Sequence, residues 1–160
     1  MRGMRARIAF AAAALAAVAV LVAVPLTSAS SVDTKLEIGY NLRLFGPGIG
    51  PGGSAGTFVA SGAVHDSGTV TGHNTITPIG NDGDGRIKGT ITLVGQLGTI
   101  TEEFQGLAGP LGTPHTAAHG TFTIVGGTGA YADLHASGTF LTVADFTTNQ
   151  AIRTDGGATN

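Results

Sequence analysis

Glu102 has the side chain best suited to proton transfer in this sequence. It alternates with Ile100 and Phe104, so a β-strand at this point would place its carboxyl group on an apolar face. Burial among apolar groups raises the pKa of a carboxyl group, because it disfavours the charged form, and such a group can act as a general acid or base. We therefore predict Glu102 as the catalytic residue. The alternatives are a register break or bulge at Glu102 and Glu103 that turns both side chains to solvent, and a position of Glu102 at the mouth of the barrel.

A second polar group, the hydroxyl of Tyr40, falls in an apolar pattern. Every second residue of 36–44 is apolar, which puts Tyr40 on the buried face of a strand. There its ring would add apolar contact area and its hydroxyl could orient a ligand, although an ordinary core tyrosine fits the same pattern. We predict five ligand-binding residues, all on inward-facing positions of alternating segments: Tyr40, Ile91, Leu93, Phe104 and Phe122.

Two further patterns, one suggesting a zinc site and one a phosphate-binding loop, lack residues that such sites need. His115 and His119 lie four residues apart, but a zinc site needs three or four converging ligands, and the sequence has no cysteine. The glycine-rich segment 126–129 lacks the lysine and the following helix of a phosphate-binding loop. We therefore predict neither a cofactor nor a metal site, and we interpret residues 126–129 as a tight turn.

The elements that would position these residues are short strands. Segments with period-two alternation, separated by turn residues, follow one another from Thr57 to Ile152. The chain has 27 glycines among 160 residues, well above the usual ~7%, and this disfavours long helices. These features predict an all-β fold, a single antiparallel eight-stranded β-barrel. The interior of such a barrel is just wide enough for one small ligand.

The pattern also divides the chain into segments. Residues 30–56 contain the first strand and a Gly/Pro-rich loop over 46–56, and residues 57–153 complete the barrel. Residues 154–160 follow the last alternating segment, and we predict that they form a disordered tail. The tail and the loop are both rich in glycine, which packs no side chain.

The N-terminus has the composition of a secretory signal peptide. Three arginines among the first seven residues precede an apolar, alanine-rich run over residues 8–26, and small residues follow. We predict a signal peptide over residues 1–29, cleaved near Ala29, and a secreted protein with no stable membrane span after cleavage. The alternative is an uncleaved N-terminal helix that anchors the protein in the membrane.

The charge balance limits the partners. The chain has eight basic and ten acidic residues, and cleavage of the signal peptide would remove three of the basic ones. The secreted chain would then be acidic. This argues against nucleic acid as a partner, because phosphate backbones attract basic surfaces.

Residues 121–140 carry a more specific pattern, TFTIVGGTGAYADLHASGTF. This order of strand, GGTG, aromatic residue and strand resembles the signature of the dirigent and allene oxide cyclase barrels, and it looks most like their small bacterial members. Residues 89–106 resemble the hairpin that precedes the signature, and the whole resemblance covers residues 57–146. His135 stands near the position where plant dirigents usually carry an arginine.

The resemblance implies a calycin-like barrel around a hydrophobic pocket, and a trimer as in plant dirigents. Dirigents steer the coupling of phenoxy radicals, and allene oxide cyclases fold an unsaturated epoxide into a cyclopentenone, both mainly by the shape of an apolar cavity. We therefore expect a secreted barrel that binds or steers a small hydrophobic molecule, with cyclase, isomerase or dirigent-like activity left open. The alternative is a non-enzymatic structural or surface-interaction module with a filled barrel.

Overall fold

The computed structural model describes residues 34–160, except Pro47, Thr113 and the side chain of Leu111. Eight β-strands make up most of these residues. A short 3₁₀-helix, Gly129–Tyr131, lies between the sixth and seventh strands. The predicted signal peptide, residues 1–29, lies outside the described residues. The strands are β1 (Lys35–Phe45), β2 (Gly50–Gly62), β3 (Asp66–Pro78), β4 (Gly85–Gly95), β5 (Thr99–Gly112), β6 (His115–Gly127), β7 (Ala136–Asp145) and β8 (Gln150–Thr159).

The strands form one closed antiparallel barrel. Each strand pairs with the next along the chain, and β8 pairs with β1. The predicted all-β fold and the antiparallel eight-stranded barrel are therefore confirmed. Closure gives every strand a partner on both sides, so no edge is left to pair with another chain. In β1 the period-two pattern works as expected, because Leu36, Ile38, Tyr40 and Leu42 are buried and their neighbours are exposed.

The Gly/Pro-rich segment departs from its prediction. The loop prediction for 46–56 is wrong for residues 50–56, which belong to β2 and pair with β1 on one side and β3 on the other. Glycine suits these positions because it lets neighbouring backbones approach closely. A Cβ atom on Gly56 would lie only 1.9 Å from the carbonyl oxygen of Asn41.

The C-terminal residues also form a strand. The prediction of a disordered tail over 154–160 is wrong, because β8 continues to Thr159 and pairs with both β1 and β7. Gly157 lets the neighbouring strand approach closely. A Cβ atom there would lie 2.3 Å from the carbonyl oxygen of Ser137 and 3.0 Å from the ring of Phe122. The end of the chain thus closes the barrel.

The two ends of the barrel interior are filled differently. We call the end with the connections 63–65, 96–98 and 128–135 the closed end, and the opposite one the cavity end. Large side chains such as Leu93 and Ile100 fill the interior toward the closed end. On β5 to β8, the inward positions toward the cavity end carry small side chains, namely Ala108, Ala118, Ala144 and Ala151. Four alanines on neighbouring strands leave space that larger residues would fill.

Asp66 ties the elements of the closed end together. Its Oδ1 atom accepts hydrogen bonds from the backbone N–H groups of Ser67 at 2.8 Å and Gln96 at 3.1 Å. Its Oδ2 atom accepts one from the backbone N–H of Leu97 at 3.3 Å and one from the hydroxyl of Tyr131 at 2.8 Å. Partial loss of hydration works to raise the pKa of Asp66. The hydrogen bonds from Tyr131 and the three N–H groups outweigh this effect and lower the pKa.

Asp66→Ala is expected to lower the midpoint of thermal unfolding at pH 7, and to lower it less in strong acid. A carboxyl group with a depressed folded-state pKa contributes stability above its unfolded pKa, near 3.8, and loses it as the pH falls through the folded pKa. Calorimetry between pH 2 and pH 7 measures both effects. Asp82→Ala, in the exposed connection between β3 and β4, is the control. A loss of the same size at every pH would contradict the prediction.

Candidate functional site

Four polar side chains meet inside the barrel. They come from β1 (Tyr40), β5 (Glu102) and β8 (Arg153 and Asp155), and we call them the buried ion cluster. Their exposed fractions are 1% for Tyr40, 0% for Glu102, and 2% each for Arg153 and Asp155. Alternation along β8 directs Arg153 and Asp155 inward, and the register places Arg153 beside Tyr40. Glu102 reaches them from a strand that pairs with neither β1 nor β8.

A β-bulge lies next to Glu102 but does not expose it. The pairing of β5 with β6 shifts by one residue between Thr101 and Glu102. The extra residue is Val125 on β6, and its side chain is exposed. Glu102 remains buried while Glu103 faces solvent. The alternative in which a bulge turns Glu102 to water is therefore wrong, because the irregularity is absorbed by the partner strand.

Hydrogen bonds join the whole cluster. Arg153 donates from Nε to Oδ1 of Asp155 at 2.7 Å and from Nη2 to Oδ2 of Asp155 at 2.8 Å. The same Nη2 group donates to Oε1 of Glu102. The hydroxyl of Tyr40 lies 3.0 Å from Oε2 of Glu102 and 3.1 Å from Oδ2 of Asp155. Every carboxylate oxygen thus has a donor, which a buried carboxyl group requires.

Aromatic rings surround the guanidinium group. The Cζ atom of Arg153 lies 4.4 Å from the ring centre of Phe104, 4.3 Å from that of Phe140 and 5.5 Å from that of Tyr40. The two phenylalanine rings meet edge to face, with centres 5.4 Å apart. Cation–π attraction at such distances partly offsets the loss of hydration of the buried cation.

Burial shifts the proton affinities in the cluster. It raises the pKa of Glu102 well above 4.5, and the negative charge of Asp155 raises that pKa further, while Arg153 opposes both effects. Burial also raises the pKa of Tyr40, as do the two carboxylates. Burial alone would lower the pKa of Arg153. The hydrogen bonds to Asp155 and the negative charges of Glu102 and Asp155 outweigh the effect of burial and raise this pKa. Glu102 therefore keeps its proton at pH values where an exposed glutamate is ionised.

The cluster borders a cavity inside the barrel. The cavity has a volume of about 100 Å³ and lies at the cavity end, where the inward side chains are small. Its lining is mostly apolar, and Arg153 is its charged group. Gly48 and Phe146, from the connections at this end, also border it, and a Cβ atom on Gly48 would lie 3.4 Å from the Phe146 ring. The apolar lining includes Leu42, Ile87, Ile91, Phe104, Ala118 and Ala144.

The structure divides the predicted site residues into three groups. Glu102 and Tyr40 belong to the buried ion cluster, in contact with each other. Ile91 and Phe104 line the cavity. Leu93 and Phe122 are buried, with exposed fractions of 0% and 1%, but they are not part of the cavity lining. Phe104 connects the first two groups, because its ring contacts Arg153 and borders the cavity.

Sequence analysis missed Arg153, Asp155 and Phe140. A signal for the first two was present, since Ala151, Arg153 and Asp155 alternate with Ile152 and Thr154 in a strand-like pattern. Two charged residues on one face suggest a solvated surface, and the following glycines suggest the end of the fold. Only the partner residues on β1 and β5 turn this face into a buried site.

A second depression lies on the outer wall of the barrel. It measures about 650 Å³ and is lined by residues of β2 to β6, among them the outward-facing polar residues His73, Lys88, Glu103 and Gln105. Lys88 and Glu103 are exposed, so water already solvates their charges. The interior cavity is the stronger candidate site, because its charged group, Arg153, is withdrawn from bulk water and therefore interacts more strongly with a bound molecule.

Fold and site together define a closed antiparallel β-barrel with a buried ion cluster beside an apolar cavity. The chain matches no family model, no curated protein and no solved structure. Within the described residues, no helix combines the length and the hydropathy needed to cross a membrane.

Proposed function

We propose that this chain is a secreted barrel that binds or steers one small, mainly apolar molecule in the cavity. The observation that carries the proposal is the cavity of about 100 Å³ with apolar walls and the buried guanidinium of Arg153 as its charged group. Ligand sites in proteins commonly combine apolar walls with a few fixed polar groups. Secretion rests on the composition of residues 1–29.

The position of Glu102 favours binding and steering over direct proton transfer. Glu102 touches Arg153 and Tyr40 but is not part of the cavity lining. Its effect on a ligand would pass through Arg153, whose orientation it fixes. Any cyclase, isomerase or dirigent-like activity would then come from holding the substrate in a reactive shape and excluding water. The GGTG segment, with its resemblance to dirigent and allene oxide cyclase barrels, supports the same kind of function.

Ala118→Leu is expected to weaken ligand binding at least tenfold without unfolding the protein. Leucine at this position would fill the cavity, since Ala118 belongs to its lining and pairs with the small residues Ala108 and Thr142. Titration with benzene, followed by amide chemical shifts at the cavity end, should show saturable binding to the wild type. We expect at least tenfold weaker binding to the variant. Benzene is a suitable probe because an engineered apolar cavity of about 150 Å³ binds it.

The matched control is Ala117→Leu, one residue earlier on the opposite face of β6. It should leave benzene affinity unchanged. In a filled barrel, the alternative function class, Ala118→Leu would overpack the core and lower stability by about 1–3 kcal/mol. That loss, together with no saturable shift in the wild type, would contradict the proposal and favour a structural or surface-interaction module.

A further inference from the structure

One amino group of Arg153 is not used by the buried ion cluster. Nε and Nη2 donate to Asp155 and Glu102, whereas Nη1 makes no hydrogen bond to a residue that the structure describes. A guanidinium group has five N–H donors, and two of them belong to Nη1. These two donors are held in a fixed direction, because the rest of the group is bound to carboxylates and lies between aromatic rings.

The unused donors belong to a residue that lines the cavity. Among the described residues, no completely buried side-chain nitrogen or oxygen lacks a partner. Nη1 therefore keeps some accessible surface, although Arg153 as a whole is only 2% exposed. Arg153 belongs to the lining of the interior cavity, so the cavity is the space to which the proposal assigns this surface. A ligand in the cavity would meet two N–H groups on a cation that is withdrawn from bulk water.

The charges around Arg153 favour a neutral hydrogen-bond acceptor on the ligand over a charged one. One guanidinium already contacts two acidic side chains, Glu102 and Asp155. A ligand carboxylate would add a third acidic group to a buried site with a single cation, and a buried charge without its own counter-charge is costly. A neutral oxygen can accept from Nη1 without this penalty. The raised pKa of Glu102 is a sign that the site already resists further negative charge.

The polarity and size of the cavity indicate the polarity and size of the ligand body. Most of the cavity wall is apolar, as at Leu42, Ile91 and Ala118, whose side chains offer no hydrogen bonds. The lining also contains the polar residues Ser54, His73, Asn74, Thr116 and Thr142. The volume of about 100 Å³ suits a ring of five or six atoms, since an engineered apolar cavity of about 150 Å³ binds benzene. The ligand body should therefore be compact and apolar, with one polar atom directed toward Arg153.

We propose that the barrel binds a compact, mainly apolar molecule with one neutral oxygen acceptor, for example a ketone, whose oxygen accepts hydrogen bonds from Nη1 of Arg153. This inference rests on the proposed binding function and adds the chemical class of the ligand. Arg153 would fix the orientation of the carbonyl group, while the apolar wall holds the carbon skeleton. In a conjugated carbonyl, the same donors would draw electron density toward the oxygen and so activate the compound.

Vibrational spectroscopy on the wild-type protein tests the contact directly. Cyclopentanone, labelled with ¹³C at its carbonyl carbon, is added to saturation, and the carbonyl stretching frequency is recorded. A hydrogen bond from a cation weakens the C=O bond, so we expect a bound frequency below that of cyclopentanone in water. A bound frequency close to that in a hydrocarbon solvent would overturn the inference and leave the binding function intact.

Affinity ratios give a second measurement. Methylenecyclopentane has the shape of cyclopentanone without its oxygen. The ratio of the two affinities should shift against cyclopentanone by about tenfold in Arg153→Met, since a hydrogen bond to a charged group contributes about this factor. The exposed variant Arg43→Met should leave the ratio unchanged. An unchanged ratio in a folded Arg153→Met protein would overturn the inference. If Arg153→Met does not fold, the carbonyl stretching frequency of cyclopentanone bound to the wild type tests the inference alone.

A third probe, cyclopentanecarboxylate, tests the charge argument. At pH 7 it should bind more weakly than cyclopentanone. Tighter binding of the carboxylate would overturn the choice of a neutral acceptor while leaving the binding function intact. If none of the three probes binds saturably, the proposed function fails and the inference fails with it.

Discussion

Arg153→Met is expected to lower the free energy of unfolding at pH 7 by about 3–5 kcal/mol, the range found when one partner of a buried ion pair is removed. The side chain is 2% exposed and is the cation that contacts both Glu102 and Asp155. Methionine keeps much of the apolar contact with Phe104 and Phe140 but provides no positive charge. The loss thus reports mainly the removal of the cation that binds both acidic side chains.

The pH dependence of this loss separates charge from packing. In acid, burial favours the neutral form of Glu102, so less uncompensated negative charge remains in the variant. Denaturant unfolding at pH 3 and pH 7 should therefore show a smaller difference between variant and wild type at the lower pH. An equal loss at both values would mean that packing alone explains it. Arg43→Met, at an exposed site on β1, should change stability by less than about 0.5 kcal/mol.

Glu102→Gln should make the protein more resistant to alkaline pH than the wild type. The folded-state pKa of Glu102 lies well above 4.5, mainly because of burial. A carboxyl group with a raised folded-state pKa contributes its full stability below the unfolded pKa and loses it as the pH rises through the folded pKa. Within that window the wild type should lose up to about 1.4 kcal/mol per pH unit from this group. Glutamine resembles the protonated acid and has no proton to lose.

The measurement is the free energy of unfolding from pH 4.5 upward, in denaturant. Wild type and variant should be similar near pH 4.5 and diverge above it, with the variant more stable. Glu103→Gln is the matched control, because Glu103 is the next residue and faces solvent, and its profile should follow the wild type. Parallel profiles for Glu102→Gln and the wild type would show that Glu102 has an ordinary pKa in the folded protein.

Much of the barrel could be predicted from local sequence, because alternation reports which face of a strand is buried. The pattern of residues 36–44 correctly indicated that Tyr40 is buried, and the segment around Glu102 correctly indicated an inward carboxyl group. Glycine carries no such signal, since it has no side chain to be apolar or polar. The strand character of residues 50–56 and 154–159 was missed for this reason.

The sequence by itself determined the fold class and the inward faces of the strands. Only the tertiary structure decided that β8 closes the barrel, because the glycine-rich end of the chain becomes a strand through its pairing with β1 and β7. The tertiary structure also decided which residues meet in the candidate site. Glu102 and Arg153 are 51 residues apart in the chain, and the curvature of the closed sheet brings them together. No local pattern can show whether an inward charge will meet its counter-charge, since the partner lies on a strand across the barrel.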